Sequence, residues 1–307
     1  MTRRWLLPAA CGLLVAAGPS AWPSAQEIGV LVLAHGGSAQ WNRTVERTVA
    51  EANLGSPTEI AFGMGMHPEE VEGFQAAVDR LQGRGVSRIV IVPLLVSSTS
   101  EVMRQFQYLF GLRDHGSWET GVKPLARRVP IAMAGALDDD PLVAEVLLER
   151  ALELSRTPER EAVILVAHGP TAEEDNARWL DAMGRLAERI RQQGRFRLVI
   201  PVTLRDDAPK PVRDQATRAM RELVQQQAEE GAVLVVPLLL AGGGIEGKIP
   251  QRLRGLHYLY RGRTLLPDPR LSRWLAEQVR VACLPSPGDR QAQVVEPSER
   301  AVASPGH

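Results

Sequence analysis

Two histidines stand in nearly the same surroundings. His35 closes the run Val30-Leu31-Val32-Leu33-Ala34-His35-Gly36-Gly37, and His168 closes Val163-Ile164-Leu165-Val166-Ala167-His168-Gly169-Pro170. Neutral imidazole binds divalent metals and also takes up a proton near neutral pH. The glycine after each histidine lets backbone or ligand come close. A lone histidine of this kind reads as a hydrogen-bonded strand end. Two at matching places point to shared chemistry, with one of them open to being a relic of duplication.

Carboxylates and further ligand types follow at corresponding places in each half. The stretch Pro93 to Glu101 passes through Ser97-Ser98-Thr99-Ser100 to an acid, and its counterpart Leu240 to Glu246 passes through three glycines to another. Glu101 paired with His35 makes a divalent-metal pair with open coordination positions. The competing reading is that Ser97 to Ser100 caps a helix whose first turn holds Glu101, where the helix dipole favours an acid. For Glu246 capping is the preferred reading. His67, just before Pro68, is either a third ligand or a plain residue ahead of a helix. In Thr203-Leu204-Arg205-Asp206-Asp207-Ala208-Pro209, Arg205 has the planar fork that matches a substrate carboxylate, and Asp206 or Asp207 is expected to cap the next helix. The candidate metal set is thus His35, Glu101 and His67, and the candidate catalytic set His35, His168 and Glu101.

Other chemistries lack their residues. The two cysteines, Cys11 and Cys283, form no CxxC pair, which argues against a thiolate metal site or a disulfide framework. There is no GxxxxGK[ST] or GxGxxG phosphate loop and no GxSxG nucleophile elbow. With 36 basic and 36 acidic side chains the formal net charge is zero, so no basic field exists to hold nucleic acid.

The elements that must position these residues also read twice. Ile89-Val90-Ile91-Val92-Pro93-Leu94-Leu95 matches Val233-Leu234-Val235-Val236-Pro237-Leu238-Leu239. Gln107-Tyr108-Leu109-Phe110 pairs with His257-Tyr258-Leu259-Tyr260, and Asp140-Pro141 with Asp268-Pro269. Short apolar runs predict strands near 28–34, 58–63, 88–96 and 129–134, then 162–167, 197–203, 232–240 and 263–266. Amphipathic stretches between them predict helices near 39–54, 68–83, 100–111 and 141–155, then 172–193, 209–229, 249–256 and 270–282. Strand–helix alternation implies parallel sheets with right-handed crossovers, hence two tandem flavodoxin-like α/β domains from an internal duplication. Their expected spans are 26–155 and 161–283, joined where Arg156-Thr157-Pro158 breaks the helical pattern. Ligands of open parallel sheets collect outside the carboxyl ends of the strands, which is where His35, His67, His168, Glu101 and Arg205 fall. Residues 1–25 read as a signal peptide: Arg3-Arg4, the apolar run Trp5 to Ala17, then small residues up to Ala25. The paired arginines also resemble a twin-arginine signal. The mature protein is therefore expected in the periplasm or secreted, with no membrane span after cleavage; the competing reading is an uncleaved N-terminal anchor. Residues 284–307, rich in Pro, Ser and charge, are expected to be a disordered tail.

Taken together, the strand-AHG opening in both halves, the VPLLVSS loop, TLRDDAP and the GGIE loop resemble the class II tetrapyrrole metallochelatases, specifically the two-domain CbiX-like sirohydrochlorin cobaltochelatases. The resemblance covers residues 28–282. It implies two flavodoxin-like domains facing each other across a cleft, and insertion of Co²⁺, or in relatives Fe²⁺ or Ni²⁺, into a tetrapyrrole. No organic cofactor is implied, and the metal is a substrate. His35 matches the family's metal-binding, proton-abstracting histidine and His168 its repeat copy. Arg104 and Arg205 are candidate partners for the carboxylates that ring the macrocycle. The chain departs from the family in having no histidine around Thr99 or Gly244, where Glu101 is the nearest substitute. Two functions stay open at this point: a chelatase, or a non-catalytic periplasmic protein that binds metal or tetrapyrrole in the same cleft. Sequence says nothing of the oligomeric state.

Overall fold

The computed structural model describes residues 28–113 and 121–283. The predicted signal segment and tail lie outside the described residues. The first half runs β1 (Ile28–Ala34), α1 (Ala39–Glu51), β2 (Thr58–Phe62), α2 (Pro68–Gly83), β3 (Arg88–Leu94), α3 (Glu101–Leu109), β4 (Ile131–Met133) and α4 (Pro141–Leu152). The second runs β5 (Ala162–Ala167), α5 (Glu173–Gly194), β6 (Leu198–Thr203), α6 (Lys210–Glu230), β7 (Val233–Leu238), α7 (Ile245–Arg252), β8 (Leu259–Tyr260) and α8 (Pro269–Cys283). Two four-stranded sheets form, ordered β2-β1-β3-β4 and β6-β5-β7-β8, with every pairing parallel. The chain is therefore two tandem parallel-sheet α/β domains. In this strand order the connections diverge between β1 and β3, and between β5 and β7, which leaves a crevice at the carboxyl ends of those strands.

Both faces of each sheet are covered, which is why β1, β3, β5 and β7 are continuous apolar runs instead of alternating ones. Leu31, Leu33, Ile89 and Ile91 pack outward beneath α2 and α3. Ile164, Val166, Val233 and Val235 do the same beneath α6 and α7. The inward faces, among them Val30, Val32, Val90, Val92, Val163, Leu165, Leu234 and Val236, join one continuous core with α1, α4, α5 and α8. The last helix of each half crosses to the other: α4 packs on α5 and β7, and α8 on α1 and β3. A buried ion pair fastens the exchange, Arg150 on α4 meeting Asp268 before α8 at 2.9 Å. Removing one partner of such a pair typically costs about 3–5 kcal/mol.

Three local expectations are corrected. The fourth strand of the second half is β8, not 263–266. Leu265 and Leu266 do donate to the Leu239 and Leu240 carbonyls beyond the end of β7, but the run stops at Pro267, which has no N–H to extend a ladder. Helix α7 begins at Ile245 instead of 249 and carries Pro250 inside it. The Glu246 carbonyl that Pro250 leaves without its helical donor accepts from the Tyr260 hydroxyl at 2.6 Å. Lastly, Gln107–Phe110 closes α3 whereas His257–Tyr260 leads into β8, so these two tetrapeptides are not equivalent. No helix among the described residues is long and apolar enough to cross a membrane.

Candidate functional site

The carboxyl ends of the two sheets open onto one shared cavity of about 580 Å³, lined from the first half by His35, Trp41 and Glu101 and from the second by His168, Trp179, Asp206, Asp207 and Lys248. Much of the wall is apolar, formed by Leu94 to Val96 and Leu239 to Ala241 together with the two tryptophans. A cavity of this size and character suits an organic ligand of cofactor size.

His35 stands at the end of β1 and is exposed to the cavity. Gly36 takes φ +80°, and a Cβ there would lie 3.2 Å from the Cβ of Phe62, so the turn that frees His35 from the sheet favours glycine. The His35 Nδ1 lies 2.9 Å from the Gly36 carbonyl oxygen. A carbonyl can only accept, so Nδ1 carries the proton and the lone pair of neutral His35 is on Nε2. Glu101 reaches the same cavity from the first turn of α3. Its loop is pinned in several places. Ser100 caps α3 by accepting from Met103 N–H, Ser97 and Thr99 pair through their hydroxyls, and Asp138 accepts from both the N–H and the hydroxyl of Ser98. The capping role expected of this serine run is therefore real, and Glu101 lines the cavity as well.

His168 repeats the backbone of His35 in different company. Gly169 has φ +76°, and a Cβ there would meet Thr203 at 2.5 Å. Its imidazole Nε2 lies 3.4 Å from Asp207 Oδ2. His168, Asp206 and Asp207 bring one ligand atom each within 4.8 Å of one another, the one such group of three among the described residues. Neither aspartate caps α6, which starts behind Pro209 with no side-chain cap bond. Instead Asp206 receives Lys248 Nζ and the Arg252 guanidinium. Burial pushes the Asp206 carboxyl up, but the hydrogen bond from Lys248 and the charges of Lys248, Arg252 and His168 outweigh it and hold it below the usual carboxylate range. Glu246 is a cap, as expected: its carboxylate accepts from the Gly243 and Gly244 N–H groups.

The remaining candidates fall elsewhere. His67 is exposed at the start of α2 and makes no capping bond, and it is not part of the cavity wall, so it does not gather with His35 and Glu101. Arg205 is buried, and its guanidinium donates to the Pro170 and Thr171 carbonyls and to Glu173. It fastens the loop after His168 and does not present its fork to the cavity. Arg104 is likewise engaged, bidentate to Asp175 at 3.0 and 2.7 Å across the two lobes. The Arg104 hydrogen bonds, against the opposing effect of burial, hold the Asp175 carboxyl below its ordinary range. Trp41, Trp179 and Lys248 were not singled out by sequence, where an aromatic on an amphipathic helix reads simply as core.

A model of the CbiX family matches the chain twice, over residues 29–154 and 162–282. The chain belongs to the CbiX family. Among curated proteins, the sirohydrochlorin cobaltochelatases of Methanosarcina barkeri and Methanococcoides burtonii are 21% and 22% identical to it over 128 and 129 residues, 42% of this chain and 97% and 98% of theirs. Each of those relatives is thus about one repeat long, and this chain carries the CbiX unit in duplicate. Among solved structures, SirB from Bacillus subtilis with Fe³⁺ superimposes with a TM-score of 0.61 at 17% identity, covering 88% of this chain and 100% of that one. DR2241 from Deinococcus radiodurans, a multi-domain protein with structural similarity to chelatases, gives 0.51 at 20% identity over 84% of this chain and 54% of its own. At these identities the two structures establish the shared fold alone.

Proposed function

We propose that this protein is a chelatase that inserts a divalent metal ion into a tetrapyrrole, with Co²⁺ and sirohydrochlorin the first pair to test. The observation that carries this is the facing arrangement in one apolar cavity: an imidazole with a bare Nε2 on one lobe, and an imidazole with two carboxylates on the other. Metal insertion needs two pyrrole N–H protons to leave as a dehydrating M²⁺ arrives. It requires no covalent nucleophile and no organic cofactor. His35 Nε2 takes up a pyrrole proton, and Glu101 beside the same cavity offers a second acceptor. His168, Asp206 and Asp207 receive the incoming ion; three protein ligands leave coordination positions open for the ring nitrogens. Trp41, Trp179 and the leucine-rich walls cover the faces of the macrocycle and exclude water.

In this reading the metal is received on the second lobe instead of by the set His35, Glu101 and His67, and the convergence of three ligand atoms there supports it. The names of the half-length relatives, sirohydrochlorin cobaltochelatases, support the substrate pair. The same reading includes export: cleavage after residue 25 leaves a mature chain beginning near Gln26 outside the cytoplasm, and the mass of the protein isolated from its native source checks it.

The test is anaerobic incubation of purified protein with sirohydrochlorin and Co²⁺, followed by absorbance of the metallated ring. Insertion faster than in a protein-free control is expected. Metal and tetrapyrrole binding without any acceleration would replace the enzyme by a carrier, the reading favoured by the missing histidine near Thr99.

A further inference from the structure

Asp206 presents a conflict for a metal ligand. Its carboxylate already serves two cations, Arg252 at Oδ1 and Lys248 at Oδ2, and its side chain is only 10% exposed. An incoming M²⁺ would meet both positive charges at close range, and repulsion at such distances is worth kilocalories even at a surface-like dielectric.

The two cations are not held alike. The Arg252 guanidinium also donates to the Leu204 carbonyl and the Thr217 hydroxyl, so it is fixed between β6 and α6. The Lys248 ammonium sits at the end of a half-exposed side chain that lines the cavity. Its backbone, by contrast, is well placed, because Glu246 caps α7 and Tyr260 bonds the Glu246 carbonyl one turn before Pro250.

We propose that Lys248 is an exchangeable counter-ion of the metal site: its ammonium occupies Asp206 Oδ2 until M²⁺ displaces it, and it returns to expel the ion into the macrocycle. This rests on the assignment of His168, Asp206 and Asp207 as the receiving ligands. The consequence is a deliberately weak site. A carboxylate whose second oxygen is contested gives up its metal sooner than an uncontested one, which suits a protein whose metal is cargo. Lys248 is a positioning residue here and does not touch the reacting nitrogens.

The test uses Co²⁺ alone, titrated calorimetrically into the full-length protein, and single-turnover insertion into sirohydrochlorin measured beside it. Lys248→Met should bind Co²⁺ about tenfold more tightly and insert it more slowly, a split in which affinity rises as rate falls. Lys248→Arg, which keeps the charge, should return both toward wild type, a rescue that a purely structural role would not give. Unchanged or weaker Co²⁺ binding in Lys248→Met, with Asp206→Asn still weakening it, would overturn the counter-ion role alone. If Asp206→Asn leaves Co²⁺ binding intact, the metal-site assignment falls and the counter-ion role falls with it.

Discussion

His35 and His168 end equivalent strands and are followed by glycines with φ +80° and +76°, yet their surroundings differ in kind. Around His35 the loop is serine-rich, the nearby carboxylate is Glu101, and among the described residues the imidazole bonds its neighbouring carbonyl. Around His168 two aspartates and two cations crowd the same place in the fold. Duplication supplied one scaffold twice, and under the proposed function substitution on the rim turns one copy toward proton uptake and the other toward cation binding. A shared backbone motif therefore marks the same place in each lobe, whereas the loop after β3 on one side and the loop after β6 on the other supply its different companions.

The largest effect expected from this contrast is on rate. His35→Ala should lower insertion by about 10²–10⁴, the usual worth of general acid–base assistance, while Co²⁺ binding stays near wild type. A variant that inserts at full speed removes the base from the first lobe. Next comes metal affinity: Asp207→Asn or His168→Ala should weaken Co²⁺ binding by at least about tenfold, since even outer-shell changes at metal sites cost 10–100-fold. Calorimetry on the purified variants checks it.

One ion pair between the two lobes, Arg104 with Asp175, gives a stability prediction. Arg104→Ala leaves the nearly buried Asp175 with Arg178 alone and should cost about 1–3 kcal/mol. Because the Asp175 carboxyl is held below its ordinary value, the pair stabilises fully above the unfolded carboxyl's pKa of about 3.9 and is lost as pH falls through the lower folded value. Thermal melts of wild type and Arg104→Ala should therefore converge at low pH and separate above pH ~4. A constant gap across that range would remove the ion pair as the cause. Tyr260→Phe, which strips the Glu246 carbonyl of its donor, should cost about 1 kcal/mol, seen as a lower Tm. Smallest of all, His67→Ala should change neither Co²⁺ affinity nor insertion rate, and a loss in either would bring His67 back into the site.

Much of this architecture was legible because sheets buried on both faces leave a plain record. The runs at β1, β3, β5 and β7 are apolar end to end, and the strand-end position of His35 and His168 follows from them. The group of His168, Asp206 and Asp207 was hidden for a specific reason. Asp206 and Asp207 precede Pro209 at a helix start, where an aspartate normally caps, and what draws Asp206 away is Lys248 and Arg252 on α7, which tertiary folding alone brings near. Arg104 and Arg205 were misjudged for the same kind of reason: their forks do bind carboxylates, but those of Asp175 and Glu173 within the protein. The signal that was available lies in the loop Arg205-Asp206-Asp207 itself, two acids on the same rim as a strand-end histidine.

The division between the lobes is most directly tested by titrating Co²⁺ into His35→Ala and His168→Ala side by side, with the visible absorbance of bound Co²⁺ as the readout. The expected result is a wild-type binding curve for His35→Ala and a clearly weakened one for His168→Ala. The opposite pattern, binding lost with His35 and kept without His168, would place the metal on the first lobe and contradict the assignment.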